Sequence, residues 1–76
     1  MEKLFKIEWV DSHGGCEDWI HREDLKPLGV VTCVSVGFVI DETEDCITLS
    51  HTVSDNQILG RLSIPKVAIK KQRRLK

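Results

Sequence analysis

Two tryptophans flank a polar, glycine-bearing turn near the start of the chain. Trp9, Asp11, Ser12 and His13 lead into Gly14-Gly15, and Trp19 follows. An indole offers a flat face that is cheap to order, so it suits stacking on a base or another ring. Asp11, Ser12 and the Gly14-Gly15 amides suit hydrogen bonds to ribose hydroxyls or a phosphate. The bland alternative puts Trp9 in the core, since it shares a strand face with Phe5 and Ile7, and has Trp19 pin a loop. A second set of small or polar groups, Ser35, Gly37, His51, Arg61 and Ser63, interrupts otherwise apolar strands. If the small-residue face of the central strand is a subunit interface, most of these groups line one concave surface of the kind that holds a small ligand. Arg61 and Lys66 then supply positive charge for a phosphate.

Other chemistries lack their residues. His13, Cys16, His21 and His51 do not form two ligand pairs at a zinc spacing. No cysteine–histidine or serine–histidine–aspartate arrangement can be drawn, so no catalytic residue is assigned and an enzyme is the least favoured class. A phosphate-binding loop of the P-loop or dinucleotide type is absent, and no cofactor is expected. Cys33 and Cys46 read as small buried hydrophobes with free thiols.

The elements that must position these groups are strands. Val30 to Ile40 is the longest apolar run, rich in β-branched residues and free of charge and proline. Val30, Val34, Val36, Phe38 and Ile40 lie on one side, and the smaller Val31, Cys33, Ser35, Gly37 and Val39 on the other. A strand apolar on both faces needs cover on both, so residues 11–29 or a second subunit is expected over the small-residue face. Leu4 to Val10 alternates as a half-buried strand. Cys46 to Val53 and Gln57 to Ile64 alternate likewise, joined by the turn signal Ser54-Asp55-Asn56. Pro65-Lys66 breaks the pattern before a short last strand from Val67. Residues 11–29 are a long excursion, with one helical turn allowed near Arg22 to Leu25.

Five short strands with tight turns predict an all-β fold, a small five-stranded SH3-like or Sm-like barrel with a long first loop. The SH3-like form fits better, because Leu4 follows the start too closely for a leading helix. One domain is expected over 1–69, with a basic tail at 70–76. At 76 residues the core is small, so a homo-oligomer is expected. The net charge of −1 hides a division: all twelve acids lie at or before Asp55, and seven of the eleven basic residues at or after Arg61. That asymmetry suits an anionic partner or head-to-tail subunit contacts. It suits equally a charged edge that discourages aggregation. No apolar stretch is long enough to span a membrane, and no leader is expected before the first strand.

Trp9-x-Asp11-Ser12, Trp19, Val34-Ser35-Val36-Gly37-Phe38 and Gly60-x-Leu62-x-Ile64-Pro65-Lys66 together resemble a group of small phage and prophage proteins. The resemblance covers nearly the whole chain. Small phage oligomers of this size include sponge proteins that sequester the nucleotide signals of CBASS or Thoeris immunity without cleaving them. The resemblance implies a cytoplasmic protein of an infected bacterial host. Its ligand would be a cyclic dinucleotide or a cyclic ADP-ribose type molecule held at subunit interfaces, and the contacts that the residue types themselves offer are Trp9, Asp11, Ser12, His13, Trp19, Ser35, His51, Arg61 and Lys66. Two alternatives stay open. One is a nucleic-acid binder using the basic C-terminal run. The other is an interaction module that turns its acidic loop, residues 17–24, toward a host enzyme.

Overall fold

The computed structural model describes residues 2–12 and 19–76. Its centre is a five-stranded antiparallel sheet. The strands are β1 (Leu4–Ser12), β2 (Val30–Glu42), β3 (Cys46–Ser50), β6 (Leu62–Pro65) and β7 (Ile69–Leu75). Their spatial order is β6-β3-β2-β1-β7. β4 (Thr52–Val53) and β5 (Ile58–Leu59) form a separate small hairpin. Short 3-10 turns occupy Arg22–Asp24, where the sequence allows a helical turn, and Lys66–Ala68, just after Pro65. The all-β class holds. Among the described residues no pairing joins β6 to β7, so the sheet is open at both ends.

The hairpin of β1 and β2 runs in continuous register from Leu4↔Phe38 to Ser12↔Val30. Its inward face pairs large with small: Phe5 with Gly37, Ile7 with Ser35, Trp9 with Cys33. The small side chains of β2 form the floor of the core because β1 lays its largest groups over them. No second subunit is needed to cover that face. Val34 and Val36 are exposed on the far side opposite Glu8 and Lys6.

The core is Ile7, Trp9, Ile47, Leu49 and Ile64, with Phe5, Cys33, Val39 and Ile69 packed around it. Bulges between Val39 and Asp41 and between Glu8 and Trp9 bend the sheet over this cluster. An extra residue in one strand raises the local twist and re-aims the side chains that follow. Gly37 sits where β2 meets β3; a Cβ there would stand 3.0 Å from the Ser50 carbonyl oxygen. This close approach gives the glycine its packing reason.

Two expected strands are divided. Cys46 to Val53 breaks at His51, and Gln57 to Ile64 breaks at Gly60, whose φ of +76° is open to glycine at little cost. The interruption turns β4 and β5 away as a hairpin, closed by the Ser54 amide donating to the Gln57 carbonyl at 2.8 Å. The basic C-terminal run is also different from a tail. It is β7, paired with β1 along Leu4 to Trp9.

Candidate ligand-binding site

The predicted site residues fall in separate places. Trp9 belongs to the core: it is 9% exposed, and its indole N–H donates to Ser35 Oγ at 3.0 Å. The ring is covered, and the Ser35 hydroxyl oxygen accepts its N–H. Alternation explains this: Trp9 follows Phe5 and Ile7 on the inward face, and register places Ser35 and Cys33 beneath it. Asp11 and Ser12 lie exposed at the far end of the β1–β2 ribbon, where Asp11 Oδ1 accepts the Ser12 amide at 2.8 Å. Trp19 is fully exposed and so rests on none of the other candidates among the described residues. His13 lies outside the described residues, as do Gly14, Gly15 and Cys16.

His51 stands where β3 ends. Its Nδ1 lies 2.8 Å from Thr52 Oγ1, and its ring fills the space a Cβ on Gly60 would occupy. The imidazole therefore braces the hairpin. Lys66 is bound to Glu42 at 2.7 Å, and its amide donates to the Asp45 carbonyl. Those contacts fasten the 3-10 turn to the end of β2, away from Arg61. Among the described residues no group of three or more His, Cys, Asp or Glu side chains could hold a metal ion. None of the described helices is long and apolar enough to cross a membrane.

Arg61 does have a setting. It lines a cleft of about 860 Å3 with Glu2, Ile40, Asp41, Thr48, Ile58 and Ser63. The local chain explains the assembly. Thr48 alternates with the core residues Ile47 and Leu49, and Ser63 with Leu62 and Ile64, so both point to the outer face. Register then sets Thr48 opposite Ser63 and opposite Asp41. The two hydroxyls meet at 2.8 Å. Asp41 reaches this face because the bulge after Val39 shifts the register there. The cleft thus joins one guanidinium, two carboxylates, two hydroxyls and two isoleucines. Thr48 and Ser63 could be placed from strand alternation. Asp41 and Glu2 could not, because a bulge and the return of the chain end bring them in.

No known family model matches the chain, and no curated protein or solved structure matches it.

Proposed function

We propose that this chain is a non-catalytic binding protein that holds an anionic, nucleotide-derived small molecule. Holding it lowers the free concentration of the signal, as phage sponges do against CBASS- or Thoeris-type immunity. The observation that carries this reading is the composition of the Arg61 cleft. A guanidinium makes charge-assisted hydrogen bonds to phosphate. Carboxylates such as Asp41 and Glu2 accept from ribose hydroxyls, as an acidic residue does in dinucleotide folds. Ile40 and Ile58 offer apolar surface to a base. The volume lies within the range of small-molecule sites. Thr48 and Ser63 bond each other on the wall of the cleft.

The SH3-like reading belongs to the same proposal. What supports it is the strand order β6-β3-β2-β1-β7 with a 3-10 turn between β6 and β7. A host cytoplasmic location follows from the proposed role.

Trp19 is fully exposed and does not line this cleft. The loop end of the ribbon, at Val30, lies about 33 Å along β2 from Ile40 at the strand's rise per residue. Stacking by Trp19 on a ligand clamped by Arg61 would need residues 19–29 to move toward the cleft or a neighbouring copy to bring its own Trp19. Calorimetric titration with cyclic dinucleotides and cyclic ADP-ribose isomers tests the reading. Arg61→Ala should weaken binding by roughly 1.5–3 kcal/mol through a lost charged hydrogen bond, with the thermal midpoint unchanged. A Trp19→Ala loss would mark Trp19 as part of the site, and no loss would leave it out. If the wild type binds nothing in the panel tighter than millimolar, the sponge reading fails.

A second reading, nucleic-acid binding, is favoured by one observation. Lys70, Lys71, Arg73 and Arg74 are exposed along an ordered edge strand, which can track a phosphate backbone.

A further inference from the structure

We propose that two copies of this chain pair through the free edge of β2, antiparallel, about a two-fold axis at Cys33. The parity of the backbone identifies that edge. The Val39 amide donates to the Lys3 carbonyl, so odd-numbered residues of β2 turn their backbone groups toward β1. Even-numbered residues turn theirs the other way. β3 takes up that side from Phe38 onward, beginning at Phe38↔Ser50. Before it, Val30, Thr32, Val34 and Val36 present amides and carbonyls with no backbone partner among the described residues.

Charge selects this edge over the others for self-pairing. β7 carries Lys70, Lys71, Arg73 and Arg74, which repel their own copies. β6 is short and ends in a proline. Residues 30–36 hold no charge, no proline and mostly β-branched side chains, and Val30, Val34 and Val36 are all exposed. Such an edge is a template for another strand.

The occupant is a second copy because the edge is complementary to itself. With Cys33 opposite Cys33, Val30 meets Val36 and Thr32 meets Val34. Those are the residues whose backbone groups face outward, so every free donor finds an acceptor. An isologous contact of this kind closes and stops. Surface area agrees. The chain exposes 6554 Å2, where a compact chain of its mass exposes about 4,700 Å2. The surplus reflects the extended ribbon, whose edge and exposed valines are open to a second copy.

Cys33 would sit at a non-hydrogen-bonded pair, where Cα atoms approach to about 4.5 Å, inside the range a disulfide accepts. The test needs no ligand, so it stands or falls apart from the nucleotide reading. Light scattering at micromolar concentration should give twice the 8.7 kDa chain mass. Diamide, which takes the electrons of both thiols, should link the Cys16→Ser/Cys46→Ser variant into a covalent dimer, and adding Cys33→Ser should abolish the link. Val34→Pro removes one outward amide and none that faces β1, and should give a folded monomer. Thr32→Lys/Val34→Lys sets like charges across the axis, while Glu8 beside position 34 still has an opposite charge to face within its own chain, and should do the same. A monomeric wild type overturns the proposal. So does a dimer that survives whichever of these variants stays folded, or a dimer that diamide does not link through Cys33.

Discussion

Trp9 uses both of its chemical ends. Its ring closes the core over Cys33, and its indole N–H is satisfied by Ser35. Truncation removes a large buried surface and leaves a cavity, so Trp9→Ala should destabilise the fold by about 3–5 kcal/mol. Ser35→Ala keeps the packing and strands only the indole donor, which costs about 1–3 kcal/mol. Urea titrations should rank the two in that order. Equal losses would mean that the indole stands over Ser35 without a bond that matters. Lys66 and Glu42 form a closer pair at 2.7 Å, yet both are partly exposed. Solvent screening limits such a pair to about 1 kcal/mol or less, so the 3-10 turn depends more on its backbone bond to Asp45.

At the scale of the element, the β4–β5 hairpin hangs on one hydroxyl. Ser50 is 2% exposed, and its Oγ lies 3.0 Å from the Thr52 carbonyl and 2.9 Å from that of Leu59. It has one proton to donate between the two carbonyls. It also lies 3.4 Å from the Thr52 amide. The hydroxyl therefore ties the end of β3 to both strands of the hairpin. Ser50→Ala should cost about 0.5–1.5 kcal/mol for the lost hydroxyl bonds to the hairpin. Hydrogen exchange should localise the damage: the Ser54 and Leu59 amides should exchange faster while those of β1 stay protected. Uniform loss of protection would show that the hairpin is part of the core's cooperative unit. Ile58 reaches the Arg61 cleft from this hairpin, so the same substitution bears on the site's wall.

At the scale of the molecule, shape and charge act together. The radius of gyration is 16.3 Å, against about 11 Å for a compact chain of this length. A ribbon and an open sheet bury little surface, and the basic residues gather on β7 at one end of that sheet. If short DNA or RNA oligomers bind there, affinity should fall steeply with salt as counterions are released. Lys70→Gln/Arg73→Gln should reduce the slope by about one for each phosphate that is no longer neutralised. These substitutions keep β7 in place, whereas deleting the segment would uncover β1. Fluorescence anisotropy over a salt series decides it. Binding that is absent at low salt, or insensitive to salt, removes the nucleic-acid reading.

Local pattern determined the element types. Alternation in Leu4–Val10, the β-branched run from Val30, Ser54-Asp55-Asn56 and Pro65 each act within a few residues, and each marks an element or a turn that is present. Alternation also put Arg61, Thr48 and Ser63 on the face away from Leu62 and Ile64. Which face of β2 is buried was decided by the tertiary structure. Both faces are apolar, and only register against β1 sets Trp9 and Ile7 over Cys33 and Ser35 and turns Val34 and Val36 outward. The breaks at His51 and Gly60 also lay beyond periodicity. A histidine ring fits over a glycine only when two strands distant in sequence have met. The candidate site scattered for the same reason: residue type announces what a side chain can bind, but bulges, register and the length of the ribbon decide which side chains meet.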